Sequence, residues 1–134
     1  MIGSASGNDV FVLETTHADS IKAGAGAVSV LTGATGNTIS AGSGSDTITS
    51  TPGHDLIYAG LGSLSLILPN TGNADTLSFA NATAPVTATL SATSGTASGY
   101  ANGVASTATI TGVLQYLVGS QFACLLYTSD AADE

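Results

Sequence analysis

Aliphatic residues recur at nine-residue intervals through the first 77 positions of the chain. The row is Ile21, Val30, Ile39, Ile48, Ile57 and Leu66, and insertions of one and two residues bring Phe11 and Leu77 into it. Each central aliphatic with its two neighbours has the pattern of a short strand whose middle side chain points inward. The other six residues of each repeat are rich in glycine and predict a turn. Residues 4–78 are therefore predicted to hold eight repeats of turn and strand.

The position two residues before each aliphatic carries the candidate chemistry. In chain order it reads Asp9, Asp19, Val28, Asn37, Asp46, Asp55, Leu64 and Asp75, with Gly7, Gly26, Gly44, Gly53 and Gly62 two residues earlier again. Every aspartate of the first 123 residues lies in this row, in a chain with one lysine, no arginine and a formal net charge of −8. Carboxylates aligned in this way are the ligands of a hard cation such as calcium.

The spacing resembles the G-G-x-G-x-D-x-U-x nonapeptide of RTX proteins, the secreted hemolysin-type calcium-binding family. The resemblance implies an all-β protein, a right-handed parallel β-roll or β-solenoid, in which calcium ions lie between adjacent coils and fold the chain on binding. It also implies export by type I secretion, which needs no N-terminal signal, and hence an extracellular location. The chain is interpreted as a fragment of a larger bacterial protein whose other domains lie outside it.

Two nonapeptides complete one coil, so successive turns are expected on opposite edges of the roll. The first edge then carries Asp19, Asn37, Asp55 and Asp75, and the second carries Asp9, Val28, Asp46 and Leu64. All members of the first edge offer oxygen ligands, whereas Val28 and Leu64 cannot coordinate a metal ion. The predicted calcium ligands are Asp19, Asn37, Asp55, Asp75, Asp46 and Asp9, with the first edge the stronger.

A metal-free interpretation stays open for the same row. Aspartate and asparagine side chains commonly cap turns by accepting backbone hydrogen bonds. The chain would then be a calcium-independent structural solenoid, used as a spacer or as part of an adhesin.

Glycines favour the second edge, where Gly24 and Gly26, Gly42 and Gly44, and Gly60 and Gly62 form pairs. They are expected to adopt positive φ and so to aim carbonyl groups at a ligand. The first-edge turns keep one glycine or none. The better glycines and the better carboxylates are therefore predicted on opposite edges.

Beyond residue 78 the period is lost. Alternation persists in residues 86–90 and 107–111, which are predicted to be strands separated by SGTASGYANG. Residues 79–123 are thus interpreted as a connecting β segment that continues the solenoid of residues 1–78. Residues 124–134, CLLYTSDAADE, resemble the translation of a sequencing-library adapter and are expected to be a non-native tail.

Several function classes find no support in the sequence. The chain has no H-E-x-x-H, no G-x-S-x-G and no P-loop, and is predicted not to be an enzyme. Its acidity repels phosphate backbones, which argues against a nucleic-acid partner. No apolar run approaches the roughly twenty residues of a membrane span. His17 and His54 are interpreted as solvated turn residues.

Ice binding by outward threonine rows is rejected at this level. Thr47-Ile-Thr49 has the required Thr-x-Thr pattern, but the repeats stacked beside it offer Ser29-Val-Leu31 and Ser65-Leu-Ile67. No flat threonine array is therefore expected.

Overall fold

The computed structural model describes residues 1–14, 16–33, 36–69 and 74–128. Within these ranges the chain forms thirteen strands and no helix. The strands are β1 Asn8–Val12, β2 Ser20–Lys22, β3 Ala27–Leu31, β4 Thr38–Ser40, β5 Ser45–Thr49, β6 Leu56–Tyr58, β7 Ser63–Ile67, β8 Thr76–Ser78, β9 Val86–Leu90, β10 Ser94–Ser98, β11 Thr107–Thr111, β12 Tyr116–Val118 and β13 Cys124–Thr128.

Successive repeats alternate between two sheets. The eight-stranded long sheet has the order β1-β3-β5-β7-β11-β10-β9-β13, and the five-stranded short sheet has the order β12-β8-β6-β4-β2. Strands of neighbouring coils pair in parallel with the aliphatic row in register, as in Val30 with Ile48 and Ile39 with Ile57. The predicted all-β, parallel β-roll architecture is confirmed.

The strands of the two sheets differ in length. Repeat strands of the short sheet have three residues, as expected, but those of the long sheet have five. In the long sheet the position two residues before the central aliphatic is part of the strand, and Val28 and Leu64 are each 3% exposed there. These two side chains add to the apolar core.

The core is one stack of side chains between the sheets. Ile21, Ile39 and Ile57 enter it from the short sheet, and Ile48 and Leu66 from the long sheet, all at most 1% exposed. Burial of such a side chain contributes about 2 kcal/mol. The period of nine is therefore kept because a slip of one residue would turn the aliphatic outward.

Paired glycines occupy columns in which the backbones of adjacent coils touch. A Cβ placed on Gly42 would lie 1.8 Å from the carbonyl oxygen of Gly24, and one on Gly60 would lie 1.9 Å from that of Gly42. The expectation of positive φ is wrong for all six paired glycines, because the left-handed residues of the described ranges are Gly7, Gly99, Gly103 and Gly112. Glycine is required here by close approach rather than by backbone conformation.

The C-terminal third adds one further coil and a meander. β11 pairs in parallel with β7, and β12 with β8, which continues the roll. Beyond β11 in the long sheet lie β10 and then β9, and β10 runs antiparallel to both β11 and β9. The expectation that SGTASGYANG only separates strands is wrong, since Ser94–Ser98 form β10. Alternating small residues do not reveal which strand they pair with.

β13 forms the far edge of the long sheet, where it pairs in parallel with β9. All five of its side chains are exposed. Across the described residues, no helix is long and apolar enough to cross a membrane.

Candidate metal site

Asp19, Asn37, Asp55 and Asp75 lie above one another at the edge where the strands of the short sheet begin. Each precedes its strand, β2, β4, β6 or β8, by one residue. This set is called the acid stack. Asn37 and Asp55 are each 1% exposed and Asp75 is 0% exposed, whereas Asp19 is half-buried. Two carboxylates are thus fully removed from solvent, which is costly unless they are compensated.

A ladder of hydrogen bonds connects the members of the acid stack. The backbone N–H of Asp19 donates to Asn37 Oδ1 at 3.0 Å, that of Asn37 to Asp55 Oδ1 at 2.8 Å, and that of Asp55 to Asp75 Oδ1 at 2.8 Å. The side chains of Asn37, Asp55 and Asp75 therefore each cap the turn of the preceding coil through Oδ1. In the two buried aspartates the second oxygen, Oδ2, points elsewhere.

The Oδ2 atoms of Asp55 and Asp75 meet at the hydroxyl of Ser50. Ser50 Oγ lies 2.6 Å from Asp75 Oδ2, 3.2 Å from Asp55 Oδ2 and 3.0 Å from the carbonyl oxygen of Thr51. A hydroxyl has one hydrogen and can serve only one of these three acceptors at a time. Four oxygen atoms, two of them from buried carboxylates, therefore come together around this hydroxyl.

This oxygen cluster fits calcium. The ion takes six to eight oxygen ligands from carboxylates, carbonyl groups and water. Carboxylates in close proximity repel one another, and a divalent cation compensates that repulsion. The one lysine, Lys22, in a chain without arginine, is exposed on β2 and is no member of the cluster.

The step from Asn37 to Asp55 has a different donor set. Asn37 Oδ1 accepts from the backbone of Asp19, so its Nδ2 faces Asp55 and donates to Asp55 Oδ1 at 2.9 Å. Amide hydrogens, rather than an oxygen ligand, point at the carboxylate. In this arrangement the space between Asn37 and Asp55 does not fit a cation.

Asp46, on the opposite edge, is an isolated carboxylate in the interior of β5. Its Oδ1 accepts from the backbone of Val28 at 3.0 Å and its Oδ2 from Gly42 at 2.7 Å. Leu64 is its partner in β7. Burial raises the pKa of Asp46 above its ordinary value, against the opposing effect of the two N–H donors. Asp46 therefore stands alone between two aliphatic residues.

Tyr100 packs under this region and donates its hydroxyl to the carbonyl oxygen of Gly62 at 2.7 Å. Burial, together with the charge of Asp46, raises the pKa of Tyr100 to about 12. The tyrosine is therefore neutral and supplies no counter-charge to Asp46.

Asp9 begins the second edge and is half-buried. Its Oδ2 accepts from the backbone N–H and the hydroxyl of Ser4, which lower the pKa of Asp9. Its register partner in β3 is Val28. The structure thus separates the predicted ligands Asp9 and Asp46 by an aliphatic residue.

Among the described residues, no three His, Cys, Asp or Glu side chains converge on one point. His17 and His54 are exposed. The predicted carboxylates meet as one pair, Asp55 and Asp75, and the remaining oxygens come from Ser50 and Thr51.

The nine-residue period of aliphatics and aspartates does not mark Ser50. It belongs to a buried column that directly follows the strands of the long sheet and contains Leu13, Thr32, Ser50 and Leu68, all at most 6% exposed. A hydroxyl in a column that has leucine at both ends is a sequence signal for a polar role. The signal becomes visible only when the repeats are aligned at this position as well as at the aspartates.

Residues 31–63 match the family model of the RTX calcium-binding nonapeptide repeat, in four copies. No curated protein and no solved structure matches the chain. The predicted resemblance is confirmed over this segment, which carries RTX nonapeptide repeats, a calcium-binding type of repeat. The matched segment includes Asn37, Asp46 and Asp55 with their turns.

Proposed function

We propose that the protein binds calcium between Asp55 and Asp75 of the acid stack and that the ion stabilises the folded roll. The observation that carries the proposal is the convergence of Asp55 and Asp75 on the single hydroxyl of Ser50. Asp55 Oδ2, Asp75 Oδ2, Ser50 Oγ and the carbonyl oxygen of Thr51 are the proposed protein ligands. Calcium would supply positive charge there, and water would complete its coordination.

Folding and binding are coupled in this proposal. Asp55 and Asp75 belong to neighbouring coils and are twenty residues apart in the chain. Their oxygens come together only when β6 and β8 are paired. A ligand that binds the folded state alone stabilises it by mass action, so calcium shifts the folding equilibrium.

The setting proposed for this activity is extracellular. RTX-type repeats support a role as a calcium-binding segment of a larger secreted bacterial protein, exported by type I secretion. Calcium is abundant outside cells, where loose sites with dissociation constants of about 0.1–1 mM are filled. In this proposal the segment is not enzymatic, and any catalytic activity belongs to other parts of the parent protein.

The second candidate function is a calcium-independent solenoid, used as a spacer or adhesin segment. The hydrogen-bond ladder favours it, because Asp19, Asn37 and Asp55 have their backbone N–H groups capped by protein atoms alone. The two candidates differ in their response to calcium.

Circular dichroism and thermal unfolding in chelator, and then in 10 mM calcium, distinguish them. A site with a dissociation constant of about 1 mM adds about 1.4 kcal/mol of stability at that concentration. We expect increased β-structure or a higher Tm with calcium and a smaller effect with magnesium, which demands stricter geometry. Identical spectra and melting points would support the calcium-independent solenoid.

Asp55→Ala and Asp46→Ala form the matched pair for locating the site. Each removes a buried carboxylate that accepts a backbone N–H from the preceding coil. Both variants should lose stability in chelator, but only Asp55→Ala should lose the calcium-linked increase in Tm. Equal loss of that increase in both variants would overturn the assignment.

A further inference from the structure

The outward face of the long sheet is a grid of hydroxyl groups. Five adjacent strands, β5, β7, β11, β10 and β9, present serine or threonine at every outward position except Ile67. The outward residues are Ser45, Thr47 and Thr49, Ser63 and Ser65, Thr107, Thr109 and Thr111, Ser94, Thr96 and Ser98, and Thr87 and Thr89.

Strand register aligns these hydroxyls into rows that cross the sheet. The central row runs Thr47, Ser65, Thr109, Thr96, Thr89 without a slip, although β10 is antiparallel. Beside it, Ser45 pairs with Ser63, and Ser98 pairs with both Thr107 and Thr87. Neighbours within a row are about 4.8 Å apart and the rows are about 6.7 Å apart.

The strands β9 and β11 add threonines to this face that the nonapeptide strands do not have. The nonapeptide strands offer one Thr-x-Thr, but β11 adds Thr107-Ala-Thr-Ile-Thr111 and β9 adds Thr87-Ala-Thr89. Both strands lie in the same sheet as Thr47 and Thr49. The rejection of an extended threonine face is therefore wrong, because it considered only the strands that continue the nine-residue period.

The face also lacks charge, and the described structure shows no protein hydrogen bond to the hydroxyls of its central row. None of the five strands directs a charged side chain outward, in a protein with a formal net charge of −8. Within the described part of the protein, the hydroxyls of the central row donate to and accept from no protein group. Shallow depressions run between the rows, one of them lined by Thr89, Thr96, Thr109 and Thr111.

We propose that this hydroxyl face binds the surface of ice. Each threonine offers a hydroxyl that can occupy a position of a water lattice and a methyl group that favours removal from liquid water. Oxygen atoms in hexagonal ice repeat along rows at a spacing close to the separation of neighbouring β-strands. A regular grid of neutral hydroxyls, whose central row has no protein hydrogen-bond partner, suits a repeating lattice of neutral water molecules.

Other ligand classes fit this face less well. Nucleic acid requires cationic side chains, and metal ions require carboxylates or other strong oxygen ligands, which are not directed outward from these strands. Carbohydrate sites combine apolar, mostly aromatic surfaces with a few precisely placed polar groups. β5, β7, β9, β10 and β11 contain no aromatic residue.

Partitioning of the fluorescently labelled full chain into slowly grown polycrystalline ice tests the proposal. The wild-type chain should be enriched in the ice fraction and should inhibit ice recrystallisation. Thr109→Tyr places a bulky ring at the centre of the grid and should reduce enrichment about tenfold, because the ring holds neighbouring hydroxyls away from the lattice. Ser20→Tyr, on the exposed outer side of the short sheet, is the matched control and should leave enrichment unchanged.

Circular dichroism must show that both variants keep the β-structure of the wild-type chain. If Thr109→Tyr does not fold, Thr109→Val removes the hydroxyl with little change of shape and should reduce enrichment to a smaller extent. Exclusion of the wild-type chain from ice, or equal enrichment of the Thr109 and Ser20 variants, would overturn the proposal. So would retention on insoluble polysaccharide without retention on ice. Thermal unfolding in chelator and in calcium tests the proposed calcium site independently of ice. A failure of ice binding is therefore distinguishable from a failure of the calcium site.

Discussion

The two edges of the roll connect their coils in different ways. On the edge formed by the paired glycines, backbone lies against backbone, with Leu61 N–H donating to the Gly42 carbonyl at 2.9 Å and Ser63 N–H to that of Gly44 at 3.1 Å. On the edge of the acid stack, side-chain oxygens span the distance between the coils. The first arrangement leaves no space between successive turns, whereas the second places polar atoms there.

This difference explains why the better glycines do not mark the better metal site. Carbonyl groups that could point at an ion between the glycine turns are used for coil-to-coil hydrogen bonds. At the opposite edge, Asp55 and Asp75 each cap a turn through Oδ1 and direct Oδ2 to one point. In this chain, the turns that keep more of the motif's glycines are therefore not the turns whose oxygens converge.

The largest expected effect comes from filling the glycine edge. Gly42→Ala would place a Cβ 1.8 Å from the Gly24 carbonyl oxygen, and backbone atoms cannot move aside as a side chain can. We expect a loss of about 3 kcal/mol or more in the free energy of unfolding, measured by urea denaturation. Gly119→Ala is the control, since its Cβ would meet only the Cys124 side chain, at 3.3 Å. Similar stability of the two variants would show that the coils are not in backbone contact at this edge.

The second expected effect sharpens the acid stack. Asn37→Asp removes the amide that donates to Asp55 Oδ1 and puts a further buried carboxylate in its place. In chelator the variant should lose about 1–3 kcal/mol of stability, because a buried hydrogen bond is replaced by repulsion. In calcium it should gain more than the wild-type protein does, since a second pair of carboxylates becomes available to an ion.

Calorimetric titration and melting with and without calcium measure both parts of this prediction. Asn37→Ala is the control: it adds no charge, and it removes the hydrogen bond to Asp55 together with the acceptor of the Asp19 N–H. If Asn37→Asp binds calcium no better than the wild-type chain, the step between Asn37 and Asp55 has no metal-binding capacity.

The repeat and the stacking of its turns could be predicted from the sequence because they are enforced by one strong rule. A strand that slips by one residue turns its aliphatic residue outward, so the spacing of Ile39, Ile48 and Ile57 fixes the register of both sheets. The acid stack then follows by counting, since Asp55 and Asn37 are two repeats apart.

Other features could not be predicted because their causes are not periodic. β9, β10 and β11 alternate small residues with serine and threonine, and this pattern is compatible with any neighbour and with either strand direction. The role of Ser50 depends on a contact with Asp75, twenty-five residues away. The paired glycines were assigned the wrong cause, because a sequence shows the absence of a Cβ but not the carbonyl oxygen that requires it.

A change of pH should have a smaller effect on stability, through Asp46 on the edge of the paired glycines. Because burial raises the pKa of Asp46 above its ordinary value of 3.8, the folded state binds this proton more tightly than the unfolded state. Its contribution to stability is fully present below the unfolded pKa and is lost as pH rises through the folded pKa. The wild-type protein should therefore gain stability relative to Asp46→Asn as pH falls from 7 towards 4.

Urea denaturation in chelator across this range measures the difference between the two proteins. Tyr100, the ionisable group that interacts with Asp46, has a pKa of about 12 and stays neutral throughout. Asp9 shifts in the opposite direction but is common to both proteins, so its effect cancels. A difference that does not change with pH would mean that Asp46 is as well solvated in the folded state as in the unfolded state.

The smallest expected effect is that of removing residues 124–134. β13 contributes backbone pairing to β9, but all five of its side chains are exposed, including Leu125, Leu126 and Tyr127. Deletion exposes part of Val86, which is 1% exposed in the complete chain, while its N–H keeps the Ala123 carbonyl as acceptor. We expect a loss of about 1 kcal/mol in stability, since an edge strand with no buried side chains adds little, and an unchanged shift of Tm with calcium. Thermal unfolding of the chain ending at Ala123, with and without calcium, measures both. Failure of that chain to fold would instead make β13 an integral cap of the long sheet, whatever the origin of its sequence.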